Sequence, residues 1–161
     1  MSVVADSAPL ISLAMVESLN LLPSLYERVH IPQAVYDEVV IIGRGRSGSE
    51  EVRVADWIER RTVSKLRIVR KLMAENLDVG ESEAIILAQE MNAVLIVDDR
   101  NARRYAVEQG IPIIGAAGVL IQAKQIGLIA EVKKPLQQLL SAGFHMSELS
   151  VKKVLQKAGE D

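Results

Sequence analysis

The chain of 161 residues contains no cysteine and only 2 histidines. Disulfides, thiolate zinc sites, iron-sulfur clusters and cysteine nucleophiles are excluded together, and a histidine-rich metal site goes with them. Any metal held by this chain is therefore bound through oxygen, which favours magnesium, manganese or calcium. Aromatic residues make up 3% of the chain, too few for the exposed rings of a base-stacking platform. Long hydrophobic runs are also missing. The longest uncharged apolar stretch, residues 110–123, contains Pro112 and falls short of the roughly 20 residues that a membrane span requires. The N-terminus has no basic start, and Asp6 interrupts its apolar run, unlike a secretory signal. The expectation is a cytoplasmic protein with no membrane segment.

What the chain does have is apolar substance. Hydrophobic residues are 49% of the total and the mean hydropathy is +0.18, enough to bury a core over one domain spanning residues 1–161. The net charge of −2 hides an uneven distribution. Residues 43–71 carry a net +5 and the remainder carries −7. A basic stretch beside an acidic body fits a phosphate-contacting surface next to a metal-binding cluster. It also fits a solvated helix face laced with salt bridges.

Short apolar runs alternate with helical patterns. Val3-Val4-Ala5 reads as a buried strand, followed by Asp6-Ser7 and a helix opened by Pro9. The Ala34-Val35-Glu38-Val39 spacing predicts a helix from Pro32 to about Gly43, after which residues 43–49 form a glycine-rich loop. Residues 50–60 are helical in pattern, and Val63, Leu66, Ile68 and Val69 give a candidate strand. Glu81 to Asn92 is an amphipathic helix and Val94 to Val97 a strand apolar on both faces. A helix over Arg100 to Gln109, a short strand over Ile111 to Ile114 and three more helices complete the chain. This order predicts an α/β sandwich around a parallel sheet.

In such a sheet, ligands collect outside the carboxyl ends of the strands. Asp6 ends the first strand and Asp98-Asp99 ends the Val94 to Val97 strand. Glu81 and Glu83 begin the helix that leads into that strand, so they lie at the same edge, and Glu38 is placed to join them. A cluster of carboxylates repels itself and is most simply explained by hard divalent cations of the kind used in phosphodiester hydrolysis. Each acid singly also fits a helix cap or a first-turn complement to the helix dipole.

The same residues carry a resemblance. V-V-A-D-S-A-P-L-I-S-L, I-P-Q-A-V-Y-D-E-V, G-E-S-E-A-I-I-L-A and V-L-I-V-D-D-R-N-A-R resemble, in order, the acidic motifs of the PIN-domain superfamily. The tail segments G-V-L-I-Q-A-K-Q-I-G-L-I and V-L-Q-K-A-G-E resemble a PIN-like subgroup described as nucleic acid-binding proteins. The resemblance implies a three-layer α/β/α sandwich with a central parallel sheet and magnesium- or manganese-dependent endoribonuclease chemistry. It also implies the frequent role of toxin in toxin-antitoxin pairs, with an antitoxin protein and a homodimer as partners. By motif, Asp6 matches the first acid, Glu38 the second and Asp99 the acid after the later strand. The third position is open: one pattern selects Glu83, and a related flap-nuclease pattern uses both Glu81 and Glu83. Asp98 is a secondary metal candidate. Ser7 resembles the hydroxyl residue that often follows the first acid, and Arg100, Arg103, Arg44 and Arg46 are candidate RNA-phosphate contacts.

Other patterns compete weakly. Residues 43–48 match G-x-G-x-x-G, but the turn does not follow the first strand, and Ile68 stands where a dinucleotide site needs an acid. The paired aspartates after Val97 also resemble a phosphorelay receiver, for which too little chain follows. His30 and His145 read as structural or surface residues, and Trp57, Met15 and Met91 as packing residues. The leucines and valines between Leu136 and Leu155 exceed what a small sheet needs, which allows a dimer face or an antitoxin groove beside ordinary packing. The alternative to a nuclease is a non-catalytic nucleic-acid or protein-binding module that keeps the fold and uses its acids as caps.

Overall fold

A computed structural model describes residues 2–161. Its centre is a five-stranded parallel sheet in the order β3-β2-β1-β4-β5. The strands are short: β1 (Val3–Ala5), β2 (Val29–Pro32), β3 (Ile58–Arg61), β4 (Val94–Ile96) and β5 (Ile113–Ile114). Register is fixed by pairs such as Val4 with Leu95 and Ala5 with Ile96. Alternate strand residues face opposite layers. Val3, Ala5, Val29, Ile31 and Ile96 enter one apolar layer, and Val4, Leu95 and Val97 enter the other.

Helices cover both faces. One layer contains α1 (Ser7–Met15), α2 (Leu21–Tyr26), α8 (Ala116–Gln125), α9 (Lys133–Ser141) and α10 (Glu148–Lys157). The other contains α5 (Leu66–Met73), α6 (Val79–Met91) and α7 (Arg100–Glu108). The result is the α/β sandwich around a parallel sheet that the sequence pattern predicts, in the three-layer α/β/α form that the resemblance implies. Among the described residues, no helix is long and apolar enough to cross a membrane.

Two stretches depart from the sequence reading. The helix expected over residues 50–60 stops early, as α4 (Ser49–Val54), because Ala55 turns to extended backbone with ψ 114°. The chain then enters β3, an edge strand whose Arg60 and Arg61 are exposed. The expected strand through Val63, Leu66, Ile68 and Val69 is instead α5, whose buried Val69 and Leu72 recur at the helical spacing of three. β2 also lies ahead of the helix expected from Pro32. That helix begins as α3 (Gln33–Tyr36) and widens into a π-helical turn over Asp37–Ile42, closed by the Gly43 amide donating to Glu38 O at 2.9 Å.

Caps define the helix ends that matter for the site. Asp78 accepts from the Glu81 amide at 2.7 Å, and the Asp78 amide donates in return to Glu81 Oε1 at 3.0 Å. This reciprocal box starts α6, which ends at Asn92 in the left-handed region with φ 52°. Asp99 starts α7 by accepting from the Ala102 amide at 3.0 Å. α10 is held differently. It fully buries none of its residues, and Glu160 just beyond it accepts from the amides of Val132 and Lys133 at 2.8 and 3.0 Å and from Lys124 at 2.9 Å.

Candidate active site

The chain leaves β1 toward β2 and β3 and later returns as β4 on the other side of β1. The reversal between β1 and β4 opens a crevice at their carboxyl ends. Asp6 stands at that point. Its amide donates to Ile96 O at 2.9 Å, which continues the β1–β4 ladder one residue past the strand. Its side chain precedes α1 in the N-cap position yet makes no capping bond, and the residue is only 3% exposed. Burial, reinforced by the charges of Glu81, Asp78 and Glu38, pushes the Asp6 carboxyl up to about 8, against an opposing bond from the Ser7 backbone. At neutral pH this aspartate carries its proton unless a cation replaces it.

The neighbouring acids converge from three further elements. Glu38 arrives on the π-helical turn, and burial and Asp78 raise its carboxyl while Ser7 opposes the shift. Gly80 makes room for it: a Cβ there would lie 3.2 Å from Glu38 Oε1 and 3.5 Å from Asp78 Oδ1. Glu81, on the first turn of α6, is raised to about 7, first by burial and then by Asp78, Asp99 and Glu38, with its bond to the Asp78 amide opposing. Asp99 completes the group across the crevice, its carboxylate capping α7. Ser7 adds a hydroxyl that is buried without a hydrogen-bond partner at bonding distance, although its nearness tempers the Glu38 carboxyl.

The remaining candidates are placed less centrally. Glu83 turns to the start of α3, where it accepts from the Ala34 amide at 3.2 Å. Asp98 accepts from the Ala116 amide at 3.1 Å. Burial raises its carboxyl, while that amide and Arg103 lower it. Gly115 is required beside it, since a Cβ would lie 2.5 Å from Asp98 Oδ1 and 2.9 Å from Arg103 Nη1. Arg103 donates to Val97 O at 2.8 Å, and both it and Arg100 line an open groove of about 1490 Å³ beside the acids. Arg44 and Arg46 lie on the exposed turn after the π-helix and do not line that groove. His30 stands apart from the acids. Its Nδ1 accepts from Arg61 Nε at 3.0 Å, and burial, with Arg61, lowers its pKa.

Asp78 is the acid that the sequence reading missed. Its signal was the D-x-x-E spacing of Asp78 and Glu81, a capping box, which satisfies a helix start without reference to any ligand. In the structure the same carboxylate faces Asp6, Glu38 and Glu81 closely enough to raise all three.

The donor set suits a hard divalent cation: carboxylates only, their charged forms disfavoured by burial and by one another, with an orphaned hydroxyl beside them. In the conformation described, no three acidic or histidine side chains among the described residues converge on a single ion position. Glu81 and Asp99 are turned to backbone amides, and each carboxylate retains further acceptor sites for a second partner.

A solved structure of a PilT N-terminus domain protein from the hyperthermophilic archaeon Sulfolobus solfataricus P2 is similar over 92% of this chain and 98% of that one, at 20% identity and a TM-score of 0.48. No curated protein matches significantly. A family model described as PIN domain matches residues 2–160. The match takes in every strand and every acid described above, and the chain belongs to the PIN-domain family.

Proposed function

We propose that this chain is a magnesium- or manganese-dependent endoribonuclease. PIN domains are generally nucleases that use divalent metal ions and bind nucleic acid, and the observation that carries the proposal is Asp6. A buried carboxyl that makes no cap, sits at the topological switch point and has three acids as neighbours is costly as a structural device. It is readily accounted for as a ligand.

Asp6, Glu38, Glu81 and Asp99 would hold the metal, with Asp78 supporting them, Glu83 anchoring α3 and Asp98 fixing the β5 side. A bound cation supplies a water of lowered pKa and neutralises charge on the phosphate oxygens. The chain's own residues then position and shield. Asp6 would give up its proton to hold the cation. Ser7 offers a hydroxyl donor at the mouth of α1, and Arg100, beside Asp99 at the start of α7, contacts a phosphate in the groove. The RNA substrate class, an antitoxin partner and a homodimer rest on the family likeness, with Leu149, 62% exposed on α10, as the apolar surface available to a protein partner.

Thermal melting against manganese tests the centre without a guessed substrate. Binding to the native state alone adds about 2.7 kcal/mol at roughly 100 times the dissociation constant. The wild type is expected to shift upward, and a protein carrying Asp6→Asn with Asp99→Asn is not. A non-catalytic module has one observation in its favour, the capping bonds already made by Glu81 and Asp99. Absence of any shift in the wild type would establish that reading instead.

A further inference from the structure

The groove that begins at the acids continues well beyond them, and its far wall is α10. The acidic residues of its lining, Glu81, Asp98 and Asp99, all come from the α6 and β4–α7 side. The α10 wall contributes Ser147, Ser150, Lys153, Val154 and Lys157, with no acid among them. Ser150, Lys153 and Lys157 recur at spacings of three and four and so lie along one helix face. Among the described residues, neither lysine makes an ion pair, although other cations of the chain do. Like charges at this spacing weaken a helix, and α10 buries no residue fully to compensate. Lys157 lies in the last turn of α10, where a cation complements the helix dipole; Lys153, one turn earlier, has no such role. The floor between the walls is apolar and includes Phe144, the single phenylalanine of the chain.

From this juxtaposition we infer that the groove between α7 and α10 is the track of a single nucleic acid strand, with Lys153 and Lys157 contacting backbone phosphates downstream of the acids and Phe144 lying under a base. The inference rests on the nuclease reading of the acidic centre and adds the path of the substrate. A cationic wall facing an apolar floor matches a strand whose phosphates and bases point to opposite sides. A duplex turns its bases inward and has no use for the floor.

The test is fluorescence anisotropy with a labelled oligouridylate of about 20 nucleotides in EDTA, which blocks metal-dependent cleavage and leaves binding to be read alone. Wild type is compared with Lys153→Ala/Lys157→Ala and with Lys152→Ala, a lysine on the same helix outside the groove. The double variant is expected to bind at least about fivefold more weakly and to lower the salt slope by about 1.4, the value for two lost single-strand phosphate contacts. Lys152→Ala is expected to change neither. The double variant also melts no lower than wild type, since it removes a like-charge pair; a lower melting temperature would mark the lysines as structural and overturn the track. If wild type binds the oligonucleotide and the double variant binds equally well, the track is wrong while the acidic centre is untouched. If a duplex of the same length binds more tightly than the single strand, the strand assignment is wrong. Failure of wild type to bind either probe removes the track and the nucleic-acid reading together, whereas a manganese shift in melting that persists would preserve the metal centre.

Discussion

Two strand-to-helix turns face each other across the crevice, and they use the same residue type for different ends. At β4–α7, Asp99 does what the position asks and accepts from the Ala102 amide. At β1–α1, Asp6 occupies the equivalent N-cap position, makes no side-chain cap and is almost wholly buried. An aspartate that forgoes its cap leaves helix amides without that partner, at a typical cost of about 1 kcal/mol, and it adds the penalty of a buried carboxyl. The comparison separates a residue that local structure explains from one that it does not.

The largest expected effect falls on the unexplained residue. Asp6→Asn is expected to lower metal-dependent RNA cleavage to background while the protein stays folded, checked by gel assay beside circular dichroism. The sign of its pH effect follows from the shift. An ordinary carboxyl at 3.8 sits at about 8 here, so the folded chain holds a proton that the unfolded chain releases. Without metal, this contribution to stability is complete below 3.8 and is lost as pH rises to about 8. Melting temperatures across that window are expected to fall in the wild type. In Asp6→Asn they should fall less, leaving mainly the smaller contribution of Glu81, which spans 4.5 to about 7. Equal slopes would show that Asp6 is not the titrating group.

Asp99 sharpens the contrast from the other side. Asp99→Ala removes both cap and charge and is expected to lose about 0.5–2 kcal/mol of stability in urea unfolding. Asp99→Asn keeps a capping acceptor, so its stability stays near wild type while its manganese-induced melting shift shrinks. If the two variants respond to manganese alike and neither differs from wild type, Asp99 is a cap and nothing more.

The smallest effect concerns Glu83. Glu83→Gln weakens one bond to the Ala34 amide, is expected to cost about 1 kcal/mol or less, and leaves the manganese shift intact. Glu81→Gln is expected to reduce that shift. The reverse result would return the third acid to Glu83.

Much of this arrangement was legible in the residues. β1 and β4 are short apolar runs that each stop at an aspartate, and α6 begins with a capping signature, although its contiguous buried run from Ala84 to Ala88 makes it a helix buried nearly all round, in place of the amphipathic one that the sequence pattern predicts. The basic half was harder to read. β3 is the edge strand Ile-Glu-Arg-Arg, and with little apolar content it lacks the pattern that marks a buried strand. α5 carries its signal in the sequence, since Leu66, Val69, Leu72 and Met73 recur at helical spacings of three and four, and reading Val63, Leu66, Ile68 and Val69 as one strand overlooks it. The choice between Glu81 and Glu83 also exceeds what sequence provides. Residues two apart on a helix point about 200° away from each other, so the motif dictates that only one faces the crevice and packing decides which. The π-helical turn that carries Glu38 has no sequence signature in Asp-Glu-Val-Val-Ile-Ile.

The bond from the Asp6 amide to Ile96 O has a dynamic consequence. It makes the first acid part of the central ladder, so its amide hydrogen exchanges with solvent only when the sheet itself opens, at the slowest rate the molecule offers. α10, with no fully buried residue, belongs to the fast-exchanging end of the same scale. The wall is held at the surface by Val151, Val154 and Leu155 against the core and by Glu160 on the Val132 and Lys133 amides, so hydrogen exchange is expected to run faster along α10 than at the Asp6 amide.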